Sequence, residues 1–430
     1  MIKDYSENVP DNIDRKTILF FVTLVGSTMV LSSILINILL GAFASMLIQI
    51  SLVLPPISLF VTAVVSLVTF NVPVAFFSFI MSVMGIYFAF MVWNKIPFAA
   101  ANLKIALSAI GDNHGLWILA YAVSIKAYIW VLLWFAAVTE IVEYHTFWVQ
   151  DSNDRVSTQG YVVAFVMILS LCWTNQVLNN IFHTTIAGVV GTWWFDPEQR
   201  IQRRPGHCGC SPAIFDSWFR SSFYSFGSIC FGSLLVGILQ VLHLIVRCGR
   251  KNRNEQRLRG RDQPNTSDFL FCLLEFLVEK MEFMMEYFNS WAFVYVGLYG
   301  YDYWSAGKKV TTLFRERGWS VILNDQLVVR SLSMMSLLIG LLAGLFGVVL
   351  GFFVLDLTGA LSSAIAIFFF GAMLGRASCQ VLFGVVTSAV DTVVVCFAES
   401  PNQLKNHHDP ELFRDLVDAW RKAYPEECGF

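Results

Sequence analysis

A row of amide and imidazole side chains interrupts an otherwise apolar stretch of the sequence, at residues 160–194. Polar side chains within such a stretch indicate either a route for a polar solute or a stripe of amides that bonds to neighbouring helices. His183 alone is more typical of a hydrogen-bonded core histidine than of a proton carrier. The members recur at four-residue intervals, which predicts one face of a helix: Asn175, Gln176, Asn179, Asn180 and His183.

Tryptophans accompany this polar face. Trp173 precedes it, and the pair Trp193 and Trp194 follows it next to Asp196. The faces of aromatic rings attract cations, and quaternary ammonium ions are bound in this way. Tryptophan also collects at the interface between membrane and water. The pair therefore indicates either a cation site or an interfacial belt.

Two ionisable residues lie within the last apolar stretch. Arg376 and Asp391 are about four helical turns apart on nearly the same face, too far for a direct pair in one straight helix. Each needs another partner or water. Together with His183 they are candidates for coupling an ion to transport, and the alternatives are structural pairing or anchoring to lipid headgroups.

Enzymatic chemistry has no comparable signal. The sequence contains no Walker A, H-E-x-x-H or G-x-S-x-G motif, so we expect a non-enzyme without a cofactor. Cys208 and Cys210 flank a glycine beside His207, but this spacing differs from the usual spacing of zinc ligands. We therefore expect no metal site.

The apolar stretches that carry these residues are as long as a bilayer is thick. Hydrophobic residues make up 56% of the chain and charged residues 14%, against about 45–50% and about 25% in soluble domains. A helix crosses a bilayer with about 20 apolar residues. The sequence predicts an all-α, polytopic transmembrane helical bundle with about nine spans, at 18–40, 46–70, 72–93, 116–139, 160–194, 219–246, 283–300, 331–355 and 359–397.

Amphipathic interfacial helices are expected in addition to the spans. The segment 94–115 fits such a helix, and 269–289 fits a surface helix that turns into the weak seventh span. The domain organisation follows as a polar N-terminal segment (1–17), a transmembrane domain (18–398) and a soluble C-terminal tail (399–430).

One strongly basic run, Arg247–Arg261, predicts a loop held near anionic lipid. It has no interleaved aromatics, and the net charge of −2 gives no reason to expect a nucleic-acid partner. Strict alternation of nine spans cannot place both this run and 200–204 on the cytoplasmic side. With the tail inside, the N-terminus lies outside, which suggests that a first span is absent from this chain.

Six short blocks occur in the order found in the choline transporter-like family, which includes the yeast pH-nine-sensitive proteins, and the chain resembles that family from about residue 18 to 400. The first follows a predicted span, the third lies within one, and the last resembles the final span of the family. The blocks are Lys95–Ala99, Ala187–Phe195, Phe226–Leu235, Phe288–Gly300, the stretch from Ser305, and Ser388–Glu399.

The resemblance implies a multi-pass solute carrier, in the plasma membrane or in an organelle membrane, that takes up choline or a related organic cation by alternating access without ATP. Its implied cation site contains Trp173, Trp193, Trp194, Tyr295 and Tyr299. The route to that site would be lined by Asn175, Gln176, Asn179 and Asn180. The alternative is a non-transporting membrane scaffold that recruits partners or anionic lipids through the basic run and the tail. The oligomeric state is left open.

Overall fold

The computed structural model describes residues 15–143, 158–196, 211–258, 266–317, 320–354 and 361–425. Within these ranges all regular structure is helical, which confirms the predicted all-α class. The Cys208–Cys210 motif, the loop at 200–204 and most of the basic side chains of Arg247–Arg261 lie outside the described residues.

The long helices follow the apolar stretches, and short helices follow the chain reversals between them. A 3-10 turn (Trp93–Lys95) joins α2 to α3, and a π turn (Arg220–Tyr224) precedes α7. The helices are α1 (Arg15–Val68), α2 (Val72–Val92), α3 (Ile96–Asp112), α4 (Gly115–Glu143), α5 (Thr158–Phe195), α6 (Pro212–Phe219), α7 (Phe226–Leu258), α8 (Thr266–Tyr299), α9 (Tyr303–Arg317), α10 (Ser320–Val354), α11 (Leu361–Glu399), α12 (Pro401–His407) and α13 (Pro410–Ala423).

Seven helices in the described part of the chain are long and apolar enough to cross a membrane, and they correspond to seven of the nine predicted spans. The other two differ. The predicted span 18–40 is the first half of α1, which runs on past a kink at Phe43 and contains only a shorter apolar helix. The predicted span 283–300 is the second half of α8, in which glutamates lower the hydropathy.

The described helices divide into two compact units. Unit 1 contains α1, α2, most of α3 and α10, α11 up to Thr387, and the end of α13. Its helices pack through glycine: a Cβ added to Gly340 or Gly344 would lie 3.0 Å from the Ala372 carbonyl oxygen or 2.7 Å from that of Phe368. Such contacts bring two helix backbones close together.

The predicted interfacial segment 94–115 forms α3, but much of this helix is covered by protein. Phe98 and Leu103 are fully buried, and the ring of Phe98 meets that of Trp420 edge-on with the centroids 5.0 Å apart. Within unit 1 the tail residue Asp415 accepts a hydrogen bond from Lys104 at 3.2 Å. The C-terminal helix thus packs against α3.

Unit 2 contains α4 to α9, the last turns of α11, and α12. Its core is centred on α8, where Trp291, Phe293 and Tyr295 are nearly inaccessible to solvent. The α5, α7 and α8 helices pack against each other around this core. They carry nearly all of the candidate site residues predicted from the sequence.

Candidate functional site

The polar row on α5 bonds to two neighbouring helices. Asn180 donates to the Ser233 hydroxyl on α7 at 2.9 Å, and Gln176 donates to the Glu286 carboxylate on α8 at 3.1 Å. These bonds match the structural interpretation of the row. Asn175 is half-buried and Asn179 is exposed, so the row does not face a single partner.

The buried end of the row is a chain of four polar groups. His183 Nδ1 lies 2.6 Å from the Ser388 hydroxyl, and His183 Nε2 lies 2.9 Å from the Ser290 carbonyl oxygen. The Ser290 hydroxyl donates to Asp391 Oδ2 at 2.7 Å, and Asp391 is only 5% exposed. The structure thus brings two of the predicted coupling residues, His183 and Asp391, onto opposite sides of one serine.

Further polar pairs join α7 to α8 along the same interface. Gln240 donates to the Glu286 carboxylate at 3.0 Å, so this carboxylate accepts amide hydrogens from both α5 and α7. Farther along, His243 lies 2.6 Å from Glu282 and Arg250 lies 2.7 Å from Glu275. Three of the glutamates that lower the hydropathy of α8 therefore have partners on α7: Glu275, Glu282 and Glu286.

The predicted aromatic residues lie in three separate places. Trp173 donates to the Cys230 carbonyl oxygen at 3.0 Å on α7. Trp193 donates to Asp112 at 2.8 Å and stacks on the imidazole of His408, with the centroids 3.8 Å apart. Trp194 is fully buried and donates to the Ser400 carbonyl oxygen at 3.2 Å. The tryptophan pair is therefore covered by the segment that follows α11.

Tyrosines and a carboxylate meet where α8 and α11 end. The Tyr299 hydroxyl donates to Glu399 at 2.7 Å. The Tyr299 ring lies 6.1 Å from that of Tyr295 and 5.5 Å from that of Tyr301. Tyr299 is 40% exposed and Glu399 is exposed as well, while Tyr295 is buried. We call Tyr295, Tyr299, Tyr301 and Glu399 the tyrosine–glutamate cluster.

Of the predicted residues, the structure gathers Tyr295 and Tyr299 in this cluster, and His183 and Asp391 in the buried polar chain. Arg376 belongs to unit 1, where its side chain is exposed. Within the described residues, no group of three or more His, Cys, Asp or Glu side chains could hold a metal ion.

Four contributors were not singled out from the sequence: Ser290, Ser388, Glu286 and Glu399. Ser290, Ser388 and Glu399 fall inside the blocks Phe288–Gly300 and Ser388–Glu399 that carry the family resemblance. That coincidence was the available signal. Glu286 gave only a negative signal, because its charge weakened the evidence for a span.

The arrangement contains groups that can bind a cation. Aromatic faces attract a cation within about 6 Å of the ring centroid, and a carboxylate supplies the opposite charge. The tyrosine–glutamate cluster combines these groups at an exposed position. His183 and Asp391 bond to different groups of Ser290, the backbone carbonyl and the hydroxyl, so the three residues form one hydrogen-bonded set inside unit 2.

The chain matches the family described as plasma-membrane choline transporter over residues 76–402. It is 28% identical over 357 residues to Protein PNS1 of Gibberella zeae, which covers 79% of this chain and 62% of that protein. It is 25% identical over 349 residues to Protein PNS1 of Saccharomyces cerevisiae, an alignment that covers 76% of this chain and 61% of that protein. It is 26% identical over 421 residues to Protein PNS1 of Mycosarcoma maydis, an alignment that covers 96% of this chain and 75% of that protein. The chain spans about three fifths of the length of the first two relatives.

Proposed function

The chain belongs to the choline transporter-like family as a multi-pass membrane protein, and we propose that it moves choline or a related organic cation across the membrane by alternating access without ATP. The family match supports the class of protein. The observation that carries the substrate class is the tyrosine–glutamate cluster, in which aromatic rings and a carboxylate lie together at the exposed ends of two helices.

In this proposal the cation contacts Tyr299 and Glu399 first. A quaternary ammonium ion cannot donate a strong hydrogen bond, so ring faces and a nearby negative charge are the groups that bind it. Tyr295 forms the buried wall of the same cluster. The amides of Gln176 and Asn180 then belong to the polar route between α5, α7 and α8.

Coupling is assigned in the proposal to His183 and Asp391, which Ser290 connects. A carboxylate buried in a membrane bundle is costly, which makes it a candidate for binding an ion or a proton. Asp391→Asn keeps the acceptor for Ser290 but removes the charge. We expect this variant to bind choline while losing the dependence of uptake on an imposed ion or proton gradient.

Uptake of labelled choline into proteoliposomes tests the proposal. A cation–π contact at an exposed site contributes about 0.5–1 kcal/mol, and an exposed ion pair about 0–1 kcal/mol. We therefore expect Tyr299→Ala to lower uptake at subsaturating choline about twofold to fivefold, and Glu399→Gln to lower it by up to about fivefold. Tyr128→Ala removes an exposed tyrosine from α4, outside the cluster, and is the control.

Substrate range separates this proposal from other transport activities. Choline, ethanolamine and tetramethylammonium differ in methylation and in the hydroxyl group. A ring-lined cation site predicts competition by tetramethylammonium, which lacks the hydroxyl. Proteoliposomes that retain no choline or organic-cation uptake, despite a correctly folded protein, would rule out the proposed substrate class.

A further inference from the structure

Unit 2 contains an open cavity of about 480 Å³ between the end of α5, the short helix α6 and the π turn. This volume is within the range of small-molecule sites. The cavity lies beside the chain reversal at the end of α8 and is distinct from the buried polar chain. Its lining is half polar: Thr192, Ala213, Asp216, Ser217, Phe219, Arg220, Tyr224, Ser225 and Gly300.

The cavity contains one cation and one anion. Arg220 and Asp216 are four residues apart, one turn of helix, and both line the cavity. The ion pairs that the structure shows among its described residues do not include Arg220. A half-buried guanidinium in a cavity presents a planar set of donors that suits phosphate oxygens.

Gly188 on α5 makes room for this guanidinium. A Cβ added to Gly188 would lie 2.8 Å from Ser217 Oγ and 3.0 Å from Arg220 Nη2. The hydroxyl and the guanidinium are therefore close neighbours above the same glycine. Ser217 is only 2% exposed and lines the cavity. The Ser217 hydroxyl and the Arg220 guanidinium therefore form a pair of hydrogen-bond donors beside the α5 backbone at Gly188.

A row of exposed phenylalanines adjoins the cavity. Phe215, Phe219 and Phe223 are 64%, 40% and 63% exposed, and successive ring centroids are 6.4 Å and 4.6 Å apart. Three neighbouring exposed rings form an apolar surface of the kind that contacts lipid chains or partners. The π turn, Arg220–Tyr224, begins at the arginine, and such turns are frequent at functional sites.

We propose that this cavity binds a zwitterionic headgroup in which a phosphate is joined to an ammonium group. Arg220 and Ser217 bind the phosphate oxygens. Asp216 and the rings of Phe219 and Tyr224 bind the ammonium group. The phenylalanine row contacts the acyl chains when the headgroup belongs to a phospholipid. This proposal does not rest on the proposed choline transport.

The equal numbers of positive and negative groups favour a zwitterionic headgroup over an anionic one. A headgroup with net negative charge would bring its anion near Asp216 without a compensating ammonium group. The same chemistry occurs in phosphatidylcholine and in free phosphocholine. The two sources differ in whether the phenylalanine row contributes.

Binding to the purified full-length protein in detergent tests the proposal, with phosphatidylcholine, phosphatidylglycerol and free phosphocholine as probes and native mass spectrometry as the readout. Hydrogen bonds to charged groups contribute enough for a roughly tenfold to hundredfold effect. We expect Arg220→Gln to weaken phosphatidylcholine binding by this factor. Arg315→Gln changes an exposed arginine on α9, outside the basic run, and is the control.

Further measurements distinguish a lipid from a free headgroup as the ligand, and a zwitterionic headgroup from an anionic one. Asp216→Asn should weaken phosphatidylcholine and improve phosphatidylglycerol. Competition by free phosphocholine at similar concentration assigns the site to the soluble headgroup, and its failure to compete assigns it to the lipid. Gly188→Ala should weaken binding a few-fold through its contact with Arg220 and Ser217. This second variant keeps the proposal testable if the Arg220→Gln protein fails to fold. Equal phosphatidylcholine binding by the Arg220→Gln and Arg315→Gln proteins, or stronger binding of phosphatidylglycerol by the native protein, would overturn the proposal.

Discussion

The crossing of α5 and α8 at Gly297 gives a prediction whose magnitude follows from the geometry. A Cβ at this position would lie 2.6 Å from the Thr184 carbonyl oxygen and 2.8 Å from the Ala187 Cβ. Carbon–oxygen contacts are normally about 3.3 Å or longer, and carbon–carbon contacts about 3.5–4.0 Å. The two helices must therefore separate by somewhat less than 1 Å to accept alanine.

Gly297→Ala should destabilise unit 2 by about 1–3 kcal/mol, the cost of overpacking a tight contact. The obstacle is a backbone oxygen, which cannot rotate away, so the upper part of that range is expected. Alanine recovers about 0.5–1 kcal/mol through its better helix propensity. We expect a net loss of about 1–2 kcal/mol, seen as a lower Tm of the full-length protein in detergent.

Gly227→Ala is the matched control, because a Cβ at Gly227 would meet nothing within 4 Å. Only the gain in helix propensity applies there, so this variant should be as stable as the native protein or more stable. The two substitutions are chemically identical and have opposite expected signs. A Gly297→Ala protein with a Tm equal to or above that of Gly227→Ala would refute the close crossing of α5 and α8.

Three further predictions concern hydrogen bonds in unit 2. Trp194→Phe removes the indole donor to the Ser400 carbonyl oxygen and should lower the free energy of unfolding by about 1 kcal/mol. Trp194→Ala should lower it by about 3–5 kcal/mol. Equal losses of stability in the two variants would contradict the assigned bond. Tyr303→Phe leaves the Asn289 side-chain oxygen without its donor and should cost about 1–3 kcal/mol, a loss that chemical denaturation measures and that an unchanged midpoint would exclude. The Ser305 hydroxyl and amide donate to Asp302 and lower the pKa of its carboxyl. Protection of the first amides of α9 in hydrogen exchange should therefore persist above about pH 4 and fade as the pH falls through the lowered pKa. The Asp302→Ala protein should lack this protection at every pH.

Local spacing identified the helices and one polar face, since the four-residue interval of the α5 row is a property of the helix itself. It could not identify partners. His183 bonds to Ser388, far away in the sequence, and no local pattern connects two such positions. The amide row was left between two interpretations for the same reason. Its bonds to α7 and α8 became visible only with the packing of three helices.

The tryptophan pair shows a second limit of local patterns. A Trp-Trp sequence near a chain reversal fits an open cation site, an interfacial belt or a buried contact equally well. In the structure His408 and the Ser400 carbonyl meet the pair from the segment after α11. That contact depends on where the C-terminal segment folds back, which composition and periodicity do not specify.

The weak seventh span has a related explanation. Hydropathy treats each residue in isolation and counts Glu282 and Glu286 as charges exposed to lipid. In the structure these carboxylates face His243, Gln240 and Gln176 on neighbouring helices. Partners on other helices reduce the cost of such groups, so the hydropathy of α8 underestimates how well it packs within the bundle.

Equilibrium binding of labelled choline to the full-length protein in nanodiscs tests the central claim most directly, because it requires neither a gradient nor a transport cycle. We expect saturable binding that tetramethylammonium displaces. We also expect that the double variant Tyr299→Ala/Glu399→Gln binds choline about tenfold more weakly while Tyr128→Ala binds it normally. Absence of saturable binding, or equal affinity in the native and double-variant proteins, would contradict a cation site built from the tyrosine–glutamate cluster.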